Sequence, residues 1–427
     1  MTKDKKYWVG LEELQENEEF VENSQKEFSD SQSVDEFLTD SQLNKTSTNR
    51  RDFLKFLGFS VTAATVAACE TPVIHSIPYV NKPEEITPGV PTYYASTYYD
   101  GTDYASIMVK TREGRPIHIK GNTKYGLNQG AVTARINSSV LSLYDGERLK
   151  NPMMDGVEVE WSEVDQKLGE ELNAVSAKGG KIVLLMGTVI SPSSAASIDK
   201  FKAKYGEENV EVVSYDPISA YGIRKGNELS FGKAMIPAYD FSKAKTIVSF
   251  DADFLNNWLL HTHYIPQYVE NRKPEGDWMS RHIQFEGRLS ITGSNADIRV
   301  PIKPSQEGRA IVALHNEIAG KTGGSTVSVK TNDLPMNGIK KSAAELISSR
   351  GQSLVISGSN DPNIQVVVNA INSMLGNYGN TINTSKEVFI KQGNDEAVAN
   401  LVKDMNAGRV DALIVGGDIN PAYSLPN

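Results

Sequence analysis

The single cysteine of this chain, Cys69, closes the run Val66-Ala67-Ala68-Cys69. A thiol placed behind small residues at the end of a short apolar stretch suits one chemistry: acylation of Sγ, with cleavage of everything before it. Upstream, Arg50 and Arg51 are followed by Phe53, Leu54 and Lys55, and then by the apolar run Phe56–Ala68. That run is well short of the ~20 residues that span a bilayer. It reads as the apolar part of a twin-arginine export signal. The competing reading is a buried helix start with a chance cysteine, and it needs two unrelated signals to coincide. Together they predict export through the twin-arginine translocase in folded form. The mature protein then begins at Cys69, held by lipid on the periplasmic face of the inner membrane.

Two other groups carry chemistry-bearing side chains. His261-Thr262-His263 places two imidazoles at i, i+2, which share one face on a strand. No acidic or thiol partner lies at ligand spacing, so packed or hydrogen-bonded histidines are expected rather than a metal pair. Asp251 and Asp253 follow an apolar run. At a strand end such residues cap the next helix more often than they form an acid pair. Phosphate-loop and Gly-x-Ser-x-Gly nucleophile patterns are absent from the sequence.

Composition narrows the function classes. The net charge is −9 over 427 residues. Residues 1–49 account for −7, with 12 acidic and 5 basic side chains, and 50–68 for +2, which leaves −4 from Cys69 onward. That balance argues against nucleic acid, which needs a basic face. One cysteine forms no internal disulfide and ligates no iron–sulfur cluster, which takes several thiolates. In the acidic leader, Tyr7, Trp8, Leu11 and Leu14 fall on one helical face. Two readings stay open there: a short helix bound by a maturation or targeting factor, or a disordered acidic tail.

The elements that must position any site follow from periodicity. Residues 70–93 are proline-rich and read as a tether. Thr92–Tyr99, Ala105–Thr111 and Pro116–Lys120 read as three antiparallel strands joined by tight turns. After Pro152, strands and helices alternate. Strands are expected at Lys181–Met186, Val210–Val213, Lys245–Phe250, Ser353–Ser357 and Ala412–Val415. Helices are expected at Trp161–Ala177, Ser191–Tyr205, Ile218–Leu229, Gln306–Ala319, Pro362–Leu375 and Ala397–Met405. Such β-then-α repetition implies parallel sheets flanked by helices, an α/β class. Ligands in such folds sit past the carboxyl ends of the strands. The residues expected there are Gly187, Thr188, Asp251, Asp253, Gly358, Ser359, Gly416 and Gly417. The chain thus divides into a signal (1–68), a tether (69–91), a small antiparallel β unit (92–152) and an α/β region (153–427). The last ends on an apolar strand and is expected to be incomplete, a fragment or one half of a larger protein.

Several motifs in this order resemble the molybdopterin oxidoreductases. They are Arg115-Pro-Ile-His-Ile-Lys-Gly-Asn, Gly130-Ala-Val-Thr-Ala-Arg, Ser139 to Pro152, Arg288 to Pro304, Asn372 to Gly379 and Gly417 to Pro426. In that family the turn at Gly130 carries the last of four cluster-binding cysteines; here Thr133 stands in its place, and the other three are missing as well. An alcohol is a poor iron ligand. The resemblance also implies that the segment from Thr292 lines the pterin region, which leaves a vestigial pocket. With Tyr7-Trp8-x-x-Leu11-Glu12-Glu13-Leu14, the twin arginines and the lipid site, the chain is similar to the B subunits of alternative complex III, a quinol-oxidising respiratory complex. The resemblance implies a cofactor-free, non-catalytic module with no catalytic, cofactor-binding or metal residues of its own. Iron–sulfur clusters would lie in a C-terminal continuation, and haem in multihaem cytochrome partners beside integral membrane quinol-binding subunits. The alternative is a working molybdopterin enzyme acting on a small oxyanion or sulfur compound.

Overall fold

Alternating side chains along three short strands build the first sheet. The computed structural model describes residues 84, 86–87, 89–417 and 419–425. The export signal (Arg50, Arg51, Phe53, Leu54, Lys55), Cys69, the acidic leader and most of the tether lie outside the described residues. Strands β1 (Thr92–Tyr99), β2 (Tyr104–Arg112) and β3 (Arg115–Gly121) pair antiparallel in that order. Ala105, Ile107 and Ile119 share one face and are buried against Ile136 and Val140. Those two come from α1 (Ala134–Ser138) and the 3-10 turn Ser139–Tyr144 that follows it. A two-residue hairpin, β4 (Met153–Met154) with β5 (Val157–Glu158), leads into the α/β region.

There α2 (Trp161–Ala177), β6 (Ile182–Met186), α3 (Pro192–Tyr205), β7 (Val210–Ser214) and α4 (Tyr221–Phe231) follow in turn. Next come β8 (Pro237–Tyr239), β9 (Thr246–Phe250), α5 (His261–Glu270), β10 (Arg281–Glu286), α6 (Ile291–Ser294) and β11 (Ile298–Pro301). The chain continues with α7 (Glu307–Thr322), α8 (Met336–Ser348), β12 (Ser353–Ser357), α9 (Pro362–Met374) and β13 (Ile382–Glu387). It closes with α10 (Asp395–Asn406), β14 (Ala412–Gly416) and α11 (Pro421–Ser424). Strands β11-β10-β9-β12 form one parallel sheet and β14-β6-β7 another, with β13 and β8 as an antiparallel pair.

The four-stranded sheet is buried on both faces, as the unbroken apolar runs of β9 and β12 require. Val248, Phe250, Phe285 and Val355 pack under α7, α8 and α9 through Leu314, Leu346 and Ile371. Ile247, Leu354 and Ile356 pack on the other face against Phe241, Phe254 and Tyr264. Phe250 and Phe285 stack at 4.6 Å between centroids, which ties β9 to β10. The result is a mixed α/β fold with parallel sheets between helices.

Three local expectations need correction. His261 and His263 sit in the first turn of α5, not on a strand, so at i, i+2 they point in different directions. Helix α4 begins at Tyr221 rather than Ile218, because Pro217 precedes the turn and Ser219 Oγ accepts from the Tyr221 N–H at 3.0 Å. Strand β10 was not expected, and β11 lies in the stretch read only as a family motif. In β10, His282, Gln284 and Glu286 are buried as well, so no continuous apolar run marks it.

Candidate functional site

The turn between β1 and β2 aims a carboxylate inward. Asp100 Oδ1 accepts from the N–H groups of Thr102 (2.9 Å) and Asp103 (2.7 Å), and Gly101 takes φ +80°. This short loop turns Asp103, fully buried, toward the start of α1. Thr133, the residue in the cysteine position, is the N-cap of that helix: its Oγ1 accepts from the Ile136 N–H at 3.2 Å. The same hydroxyl donates to Asp103 Oδ2 at 2.8 Å. Arg135 grips the carboxylate from Nε (3.0 Å) and Nη2 (2.8 Å) and reaches across to the Asn256 carbonyl at 2.7 Å. His261 Nε2 lies 2.8 Å from Asp103 Oδ1. Burial pushes the Asp103 carboxyl up, but hydrogen bonds from His261, Arg135 and Thr133 outweigh it and hold the group well below the usual carboxylate range.

This donor set does not fit an iron–sulfur cluster. The one side chain at the cluster-ligand position is an alcohol already engaged at both ends, and the neighbouring carboxylate is matched by a guanidinium and an imidazole. Among the described residues no three His, Cys, Asp or Glu side chains converge to hold a metal ion.

Past the strand ends lie two small cavities. The first, ≈ 180 Å³, is lined by Gly187, Thr188, Gly417 and the β1–β2 turn. Thr188 Oγ1 donates to buried Asp216 at 2.8 Å, and the Gly393 N–H donates to the same carboxylate at 2.7 Å. The second, ≈ 230 Å³, is lined by Asp251, Asp253, Gly358 and Ser359, together with Arg288 and Lys391. Lys391 is buried, and its Nζ donates to the Gly101 carbonyl. Burial lowers its basicity, and Asp216, Asp100 and Asp103 act against that shift. Both are smaller than the ~300–1,000 Å³ of drug-sized ligand sites, but a third, ≈ 590 Å³, lies beside them past β7 and β12, lined by Tyr215, Asp216, Ser219, Asn360 and Asp395.

Asp253 does not pair with Asp251 as an acid couple. Its Oδ1 accepts from the Thr292 N–H (3.1 Å) and hydroxyl (2.7 Å), and Thr292 Oγ1 accepts from the Leu255 N–H at 3.0 Å. It therefore fixes the segment from Thr292 to the end of β9 instead of capping a following helix. Burial raises the Asp251 carboxyl, which Arg288 opposes. His263 is spent on the Leu127 carbonyl (2.6 Å) and Gln267 (2.7 Å). Of the eight residues expected past the strands, seven line the two small cavities and Gly416 does not. Sequence reasoning missed Asp103, Asp216 and Lys391, which stand in no motif; only the Asp-Gly-Thr-Asp turn at 100–103 offered a signal.

No family model matches the chain. Over 287 residues it is 25% identical to the menaquinone reductase, molybdopterin-binding-like subunit of Nitratidesulfovibrio vulgaris, a match covering 62% of this chain and 39% of that protein. Over 287 residues it is 23% identical to the arsenate respiratory reductase molybdopterin-containing subunit ArrA of Shewanella sp. strain ANA-3, covering 64% and 33%. Acetylene hydratase from Pelobacter acetylenicus superposes with a TM-score of 0.45 at 11% identity, over 65% of this chain and 42% of that one. The chain spans 39% and 33% of the two relatives' lengths. The part of this chain that matches them is a molybdopterin oxidoreductase-like domain.

Proposed function

We propose that this chain is the non-catalytic, molybdopterin oxidoreductase-like module of a quinol-oxidising respiratory complex of the alternative complex III type. It docks an iron–sulfur domain and multihaem cytochrome subunits beside integral membrane quinol-binding subunits. Lipid on Cys69 anchors it at the periplasmic face of the inner membrane. The observation that carries this reading is the Asp103–Arg135–Thr133 network, which fills the ligand position of an electron-relay cluster with hydrogen bonds, with His261 Nε2 2.8 Å from the same carboxylate. The name of the Nitratidesulfovibrio vulgaris relative supports a link to a quinone pool. Purification from the native membrane tests it: haem and iron–sulfur absorbance should co-purify with the chain in fixed ratio. A chain isolated alone, with no redox-active partner, would count against it.

The second reading, an active molybdopterin-dependent subunit working on a small oxyanion or sulfur compound, draws support from the name of the Shewanella relative. It requires a strand-end site for the pterin and a separate route for electrons.

Anchoring has its own test. Cys69→Ser should move the protein from the membrane to the soluble fraction in cells lacking its partner subunits. Retention of the variant on the membrane there would rule out the lipid anchor.

A further inference from the structure

One face of the small antiparallel sheet is basic and aromatic in a chain that is acidic overall. Residues 104–135 carry six Lys and Arg against one acidic side chain, Glu113. The strand register gathers part of this charge. Tyr93, Lys110 and His118 stand opposite one another across β1, β2 and β3, and Ala95, Met108 and Lys120 form the next row of the same face. Arg112 follows Lys110 on that side. The other face is taken up by Ile107 and Ile119 against Ile136. At its far end the basic face is closed by the loop after β3, where Gly126 lies against Ser106. Lys124 and Tyr125 stand at that rim, with Tyr125 79% exposed and Tyr93 45% exposed. Lys110, Lys120 and Lys124 make no ion pair among the described residues. Like charges on one sheet face repel at close range. No ion pair among the described residues relieves this on Lys110, Lys120 or Lys124, whereas an anionic surface would.

We propose that this face docks on the anionic headgroups of the bilayer. Tyrosine beside lysine and arginine is the composition that sits at a membrane interface. The choice of a bilayer over an acidic protein rests on the Cys69 anchor in the reading above. Only residues 70–91 separate that anchor from β1. A basic patch is a common second signal beside a lipid anchor.

The test uses the full-length Cys69→Ser protein, which carries no lipid, with sedimenting vesicles. One set contains phosphatidylglycerol in phosphatidylcholine, the other phosphatidylcholine alone. The protein should bind the anionic vesicles more tightly. Lys110→Gln with Lys120→Gln should weaken that binding roughly thirtyfold, from ~1 kcal/mol per basic side chain at an anionic surface, with its circular dichroism unchanged. The apolar stretch of the export signal contributes equally to both proteins, so the contrast reports the basic face. If the double variant is misfolded, a salt series on the parent decides instead: the anionic preference should vanish as the Debye length shrinks from ~8 Å toward ~3 Å. Equal binding to both vesicle types, an undiminished double variant, a salt-insensitive preference, or binding to an acidic partner subunit alone would overturn the proposal. No cytochrome or quinol enters this assay, so its failure leaves the respiratory reading to its own test.

Discussion

Asp103→Asn should lower the stability of the folded body by about 2–3 kcal/mol at neutral pH. Breaking a buried ion pair from one side costs ~3–5 kcal/mol, because the other charge is left uncompensated. The discount reflects Arg135, whose side chain is 44% exposed and can hydrate itself. His261, fully buried at 2.8 Å from the same carboxylate, loses that neighbour's charge as well. In denaturant the midpoint should fall with little change in slope. The pH dependence follows from the direction of the shift. The folded-state carboxyl is held below its unfolded value of ~3.9. Its contribution is therefore complete above about pH 4 and is lost as the pH falls through the folded value. The gap between parent and variant should persist from neutral pH down to about pH 4 and narrow below it. Equal stability at pH 7, or a gap that keeps its size in strong acid, would show that the network does not bind the antiparallel unit to α5.

Glu307→Gln should act in the opposite sense, stabilising the protein by about 2 kcal/mol at pH 8 and leaving it nearly unchanged near pH 4. Glu307 opens α7, where a helix N-terminus favours an anion. Burial nonetheless raises its carboxyl to about 7; the Ser357 hydroxyl, donating at 3.0 Å, lowers it, and Asp251 raises it further. A raised carboxyl means the folded state holds a proton that the unfolded chain releases near pH ~4.3. Parent stability should accordingly decline as the pH climbs from about 4 to 7 and level off above. Glutamine keeps an acceptor for Ser357 and removes the slope. Urea titrations of both proteins across this range measure it. A slope that survives in the variant would assign it to another group.

The parts of this fold legible in the sequence are those where one physical signal dominates. Ile182–Met186, Thr246–Phe250 and Ser353–Ser357 are unbroken apolar runs, because parallel strands between two helical layers bury both faces. Placing ligand sites past such strands located Thr188, Asp251, Gly358 and Ser359 at the two cavities. Strand β10 was not legible because its second face is polar yet buried. His282 meets Tyr268 at 3.2 Å, and Glu286 meets Arg299 at 2.5 Å. The central network was hidden for a related reason. Asp103 and His261 are 158 positions apart, and only the packing of the first hairpin on α5 brings them together. Helix α5 itself contains Pro266, which broke the helical pattern that would have announced it.

The most direct test of the central claim is elemental analysis for molybdenum and tungsten, with a pterin assay, on the protein purified from its native membrane. The non-catalytic reading predicts neither metal nor pterin in the chain, alongside co-purified haem. Stoichiometric molybdenum and pterin would contradict it, establish the active enzyme, and direct the search for a metal ligand to the side chains past the strand ends.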